Sequence, residues 1–92
     1  MAYNSVNSIV WKSQAVRQLR KIAEKAKRDA IYDAVQALAL WLSCVGDIKR
    51  LQGVAGYRLR VGDYRVIFEI DQGGNPVIIT ISQVRKRNER TY

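Results

Sequence analysis

The sequence predicts an α+β fold: a small single domain over residues 1–92, ordered β-α-α-β-β-β, with an antiparallel sheet and two helices packed on one face. Three observations predict it. Apolar residues recur at helical spacing from Val16 to Leu42, in two runs separated by a basic stretch. Strict alternation then takes over in Tyr57-Arg58-Leu59-Arg60-Val61, followed at once by the two-residue turn Gly62-Asp63. Finally, Val77 to Val84 is a β-branched run apolar enough for a central strand.

Taken in order, Ser8-Ile9-Val10-Trp11 is a short β-prone segment that makes the first strand. Ser13 is the expected N-cap of the first helix, whose apolar stripe is Val16, Leu19, Ile22, Ala23 and Ala26, with Arg17, Arg20, Lys21 and Glu24 opposite. A break is expected in Lys25-Ala26-Lys27-Arg28. The second helix follows with the stripe Ile31, Ala34, Val35, Leu38 and Leu42. It is unusually apolar from Ala37 to Leu42, with Trp41 near its end and Gly46 as its stop. Asp47 to Gly56 reads as a loop with turn glycines at Gly53 and Gly56. Tyr64 to Ile70 is the strand after the tight turn, Gln72-Gly73-Gly74-Asn75 is a second turn, and Arg85 to Tyr92 is a polar tail. Trp11, Trp41, Tyr64 and Phe68 sit in apolar patterns and read as core.

Composition narrows the chemistry. The 92 residues include sixteen Lys and Arg against eight Asp and Glu, one cysteine and no histidine, for a net charge of +8. A lone Cys44 excludes an internal disulfide and suits a reducing compartment. Without histidine a zinc site and the Ser-His-Asp and Cys-His triads have no basis. No apolar run approaches the roughly 20 residues of a membrane span, and the first residues lack a signal-peptide core. No Gly-rich phosphate loop precedes a helix, so no cofactor is expected. The expectation is a soluble, cytoplasmic protein with no membrane partner and a polyanionic or acidic one, nucleic acid first.

The charge concentrates in the second half, where residues 49–92 hold nine of the sixteen Lys and Arg. If Gly62 and Asp63 are the two loop residues, Val61 lies opposite Tyr64, Arg60 opposite Arg65, Leu59 opposite Val66 and Arg58 opposite Ile67. Leu59, Val61, Tyr64 and Val66 then share the core face, and Arg58, Arg60 and Arg65 share the other. Like charges directly opposite in an antiparallel pair repel, so stability alone would not choose this arrangement. Two readings account for it: a site for phosphate, which guanidinium grips bidentately, or a solvated outer face of flexible arginines. The tail Arg85-Lys86-Arg87-Asn88-Glu89-Arg90-Thr91-Tyr92 leaves the last strand on the side of the Gly62–Asp63 turn, which brings further cations and a ring toward that face.

The stretch Lys49-Arg50-Leu51-Gln52-Gly53-Val54-Ala55-Gly56-Tyr57-Arg58-Leu59-Arg60-Val61-Gly62-Asp63-Tyr64-Arg65-Val66-Ile67-Phe68-Glu69-Ile70 resembles the central motif of the RelE/ParE toxin superfamily. The resemblance runs over nearly the whole chain, from the Ile9-Val10-Trp11 strand to the basic C-terminus closing on Tyr92. It implies a toxin of a bacterial type II toxin–antitoxin system. Its RelE branch consists of ribosome-dependent mRNA endonucleases, and its ParE branch poisons DNA gyrase and generally lacks the catalytic cluster. The RelE branch is favoured here because the basic positions of its catalytic cluster are all basic in this chain.

Carried over by resemblance, the catalytic positions are Arg58 and Arg60 on the Tyr-x-basic strand and Arg65 after the turn. Near the C-terminus they are Lys86 or Arg87, together with Tyr92. Lys49, Arg50, Arg85 and Arg90 are expected to contact RNA. Such toxins cut with the RNA's own 2′-OH as nucleophile, which suits a chain without histidine. Relatives often carry lysine on the Tyr-x-basic strand. Arginine is a poor acid or base, so proton transfer here falls to Tyr92, Lys86, water or the ribosome. The implied partners are a cognate antitoxin, for which the apolar second helix offers a groove, and the ribosomal A site with its mRNA. Operator DNA is expected to be reached indirectly, through the antitoxin.

Overall fold

Two short helices fill one side of a five-stranded sheet in the computed structural model, which describes residues 7–40, 47–53, 55–71, 73 and 77–86. The elements are β1 (Ser8–Trp11), α1 (Ser13–Arg20), α2 (Lys25–Ala37, continued by a 3₁₀ turn Leu38–Leu40), β2 (Asp47–Arg50), β3 (Tyr57–Val61), β4 (Tyr64–Asp71) and β5 (Ile78–Lys86). The strand order is β1-β5-β4-β3-β2. The α+β class and the helices on one face are as the sequence predicts.

The sheet departs from the expectation in two ways. It is mixed rather than antiparallel throughout, because β1 runs parallel to β5, with Ile9 beside Ile79 and Trp11 beside Ile81. Strands joined by tight turns must alternate in direction, and β2 to β5 do. The partner of β1 arrives only after two helices and three further strands, so no local signal sets its direction. The second departure is β2 itself. The segment expected as a loop from Asp47 to Gly56 is a strand and a turn, with Asp47 to Arg50 paired antiparallel to β3 and Leu51 N–H donating to Gly56 O at 3.0 Å. Gly56 enters β3 at φ +126°, and a Cβ there would lie 3.1 Å from the Phe68 carbonyl, so only glycine fits.

The helix boundaries also shift. Lys12, not Ser13, holds the N-cap position of α1, and no side chain caps it. The break between helices falls at Lys21–Glu24, earlier than Lys25–Arg28, which instead forms the first turn of α2. Arg28 explains the shift: its Nη1 donates to Ile22 O at 2.6 Å and to Ala23 O at 3.1 Å, satisfying the carbonyls of the link. At the other end of α2, Asn7 Nδ2 donates to Leu38 O at 2.9 Å, tying the helix terminus to the start of β1. The expected elements at Trp41, Leu42, Cys44 and Gly46 lie outside the described residues.

The core forms where the helices meet the sheet. Ala15, Ile22, Ile31, Val35 and Leu38 pack with Leu59, Val66, Phe68, Ile79, Ile81 and Val84, and no polar or charged residue is buried among the described residues. Trp11 and Tyr64 are half-buried against this cluster and Phe68 is fully buried, as their apolar patterns predict. Tyr57 stacks on Phe68 at 5.6 Å, and Trp11 stacks on Tyr32 at 6.3 Å. Beyond Trp11, where β1 ends, α1 takes over the edge of β5: Gln18 Oε1 accepts the Val84 N–H at 2.7 Å.

Candidate functional site

The β3–β4 turn sets the site. Gly62 has φ +56° and Asp63 does not share that conformation, the pattern of a type II′ turn, which matches the twist of the flanking strands. The register is the one the sequence predicts: Val61 with Tyr64, Arg60 with Arg65, Leu59 with Val66 and Arg58 with Ile67. Alternation then divides the residues. Tyr57, Leu59, Val61, Tyr64, Val66 and Phe68 point to the helices, and Arg58, Arg60 and Arg65 to the outer face.

The neighbouring strands extend that face. On β5, Arg85 pairs with Arg65, so Arg60, Arg65 and Arg85 form one row across three adjacent strands. The next row is Lys49, Arg58, Ile67 and Gln83. Of the acids on β4, Glu69 and Asp71 lie at the far end of this face, opposite Thr80 and Ile78. Near the arginines, Asp47 stands across from Arg60 in register.

Two expected members fall elsewhere. Lys86 pairs with Tyr64 and Arg50 with Tyr57, so both belong to the helix-side face at the rim of the sheet. Arg87, Arg90 and Tyr92 lie outside the described residues.

A bulge adds a feature that the sequence reading missed. Ile67 pairs with Gln83 but Phe68 pairs with Ile81, leaving Ser82 as the extra residue. Counting outward from buried Ile81 and Val84, both Ser82 and Gln83 turn to the outer face. The available signal was the apolar spacing, two residues from Ile79 to Ile81 and then three to Val84. The Ser82 Oγ and the Nε atoms of Arg58 and Arg85 are shielded from solvent without a hydrogen-bond partner. Unsatisfied donors of this kind are costly unless a ligand supplies acceptors.

The helix side of the same hairpin is closed differently. Lys27 Nζ lies 3.2 Å from Glu24 and 3.7 Å from Asp63, joining α2 to the turn. The hydrogen bond and charge of Glu24 hold the Lys27 ammonium above its ordinary pKa, with Asp63 adding to the effect. A shallow hollow of about 180 Å³ lies there, lined by Lys27, Ala30, Val61, Gly62, Asp63 and Tyr64. It is on the face away from the arginines. Among the described residues, no three His, Cys, Asp or Glu converge as metal ligands, and no helix is long and apolar enough to cross a membrane.

Set against known proteins, residues 9–90 match the family model described as the ParE toxin of the type II toxin–antitoxin system, parDE. The fold is similar to that in the crystal structure of an archaeal RelE–RelB complex from Pyrococcus horikoshii. Identity there is 23% over 92% of this chain and 99% of that one, with a TM-score of 0.75. The toxin–antitoxin complex RelBE2 of Mycobacterium tuberculosis gives 22% identity, coverage of 89% and 99%, and a TM-score of 0.72. A YoeB/ParE toxin from Agrobacterium tumefaciens gives 15%, 86% and 97%, and 0.69. Among proteins of curated function, none matches this sequence.

Proposed function

The chain belongs to the ParE toxin family of type II toxin–antitoxin systems, within the RelE/ParE superfamily, and from that premise we propose that it is a ribosome-dependent endoribonuclease cutting mRNA in the A site. The observation that carries the proposal is the row Arg60–Arg65–Arg85 with Arg58 beside it, cations set directly opposite one another on a face of the sheet the helices do not cover. Such a row opposes folding and favours a polyanion.

In the proposed reaction the 2′-oxygen of a ribose attacks the adjacent phosphorus, the bond from phosphorus to the 5′-oxygen breaks, and the products end in a 2′,3′-cyclic phosphate and a 5′-OH. The 2′-OH proton is lost and the leaving 5′-oxygen gains one. Arg65, central in the row, stabilises the extra negative charge of the phosphorane, and Arg58 and Arg60 grip the phosphate. Arginine does not exchange protons at neutral pH, so the proton steps belong to other groups. The role beside the leaving oxygen goes to Arg87 rather than Lys86, because Lys86 shares the face of Tyr64. Tyr92 stacks on a base or relays a proton, and Lys49 adds charge along the RNA path.

The test is cleavage of mRNA on purified translating ribosomes, mapped by primer extension. Arg65→Ala is expected to cut about 10²–10³ more slowly with the fold intact. Cleavage at the wild-type rate would remove Arg65 from the site. A second reading, a gyrase inhibitor without nuclease activity, is favoured by one observation: the matching family model is that of ParE. It requires stalled gyrase cleavage complexes and no mRNA cuts in the same experiment. Either reading includes a cognate antitoxin, in keeping with the RelB-bound state of the similar toxins and the charge of +8, and through it operator DNA. Failure to co-purify with the neighbouring gene product would count against that partner.

A further inference from the structure

Four arginines are more than one phosphodiester can use. A single such group carries one negative charge and two non-bridging oxygens, and the three guanidiniums of Arg58, Arg60 and Arg65 already occupy their acceptor positions. Arg60, Arg65 and Arg85 stand in register on three successive strands, each step about 5 Å, so the ends of the row lie about 10 Å apart at the backbone. Adjacent phosphates of an extended single strand are farther apart than one such step and closer than two. The row therefore matches two consecutive phosphates lying across the strands, not one held at its centre.

Arg85 is the member without a duty in the cleavage just proposed. Its Nε is shielded from solvent and has no hydrogen-bond partner, and no acid among the described residues pairs with it. Its position is fixed by the long β4–β5 ladder, with Val84 beside it anchored through Gln18. A side chain held there, opposite a second arginine and with its Nε lacking an acceptor among the described residues, is built for an anion from outside.

Resting on the nuclease reading, we infer that Arg85 binds the phosphate next to the one cleaved, so the face takes single-stranded RNA through two consecutive phosphodiesters laid across β3, β4 and β5. Arg58, Arg60 and Arg65 hold the scissile group and Arg85 fixes its neighbour. The contact aligns the strand so that the attacking 2′-oxygen stays in line with the leaving oxygen.

The experiment uses the full chain and ribosomes carrying a synthetic message in which one linkage beside the cut site, on the 5′ or the 3′ side in turn, is a neutral methylphosphonate. One of the two neutralised messages is expected to be cut about tenfold to a hundredfold more slowly by the wild type, the worth of one charge-assisted hydrogen bond. Arg85→Ala is expected to lose the same factor on the native message and nothing further on that neutralised one. Arg85→Lys is expected to recover part of the loss. Independent, multiplying losses on both messages, or wild-type cutting by Arg85→Ala, would overturn the inference. A second readout is binding of the full chain to a short single-stranded RNA across a salt series. The slope of log affinity against log salt is expected to fall by about 0.7 in Arg85→Ala, and an unchanged slope overturns the inference. If the wild type cuts no ribosome-bound message, the nuclease reading falls, and the salt slope still decides whether Arg85 holds a phosphate.

Discussion

The two faces of β3, β4 and β5 are made from alternate residues of the same strands, yet they obey opposite rules. On the helix side Leu59, Val66, Phe68, Ile79, Ile81 and Val84 are buried together with no polar residue among them. On the outer side, like charges stand opposite one another and the shielded Nε of Arg85 and Oγ of Ser82 have no partner. The first face lowers the free energy of folding by removing apolar surface from water. The second raises it, by repulsion and by leaving donors unsatisfied. A sheet can carry such a face only because its other face is fully packed. Removing atoms from the helix side should therefore destabilise, and removing polar atoms from the outer side should not.

The largest effect is expected at Phe68, fully buried and stacked on Tyr57. Phe68→Ala should cost about 3–5 kcal/mol, read from denaturant unfolding, with activity lost through unfolding rather than through the site. A cost below about 1 kcal/mol would mean that the helix face does not carry the stability. On the outer face, Ser82→Ala removes a shielded hydroxyl with no partner at the bulge of β5. It should leave stability unchanged or raise it by about 1 kcal/mol. A loss of that size instead would show that the hydroxyl is satisfied in solution and that the faces differ less than the structure implies.

The same two faces explain what could be read in advance. The register of the β3–β4 hairpin was legible because Gly62-Asp63 leaves room for only one two-residue turn, and strict alternation does the rest. That places Arg58, Arg60 and Arg65 together from the sequence alone. The segment around Ile48 was not legible as a strand: it is four residues long, and a single apolar residue between charged neighbours carries no period. The direction of β1 depends on a pairing with β5 about three quarters of the chain away, Ser8 with Ile78. The division between Arg85 and Lys86 was hidden by the bulge at Ser82, which shifts the alternation by one residue and puts Arg85 rather than Lys86 on the arginine face, opposite Arg65.

The smallest and most discriminating change is Arg85→Thr. Arg85 is opposite Arg65, and a like-charged pair in that position destabilises an antiparallel ladder by roughly 0.2–1 kcal/mol. Threonine suits a strand, keeps the β4–β5 ladder and removes the repulsion, so the unfolding free energy should rise by a few tenths of a kcal/mol. Arg85→Lys keeps the charge and should leave stability near the wild type. The gain should shrink as salt screens the pair in the wild type, which separates relief of repulsion from a better strand propensity, since the latter does not depend on salt. If threonine destabilises the chain at low salt, then Arg85 contributes to the fold and the outer face is not held against stability. If it stabilises while cleavage falls, the same side chain opposes folding and serves the substrate, which is the relation the two faces of this sheet lead one to expect.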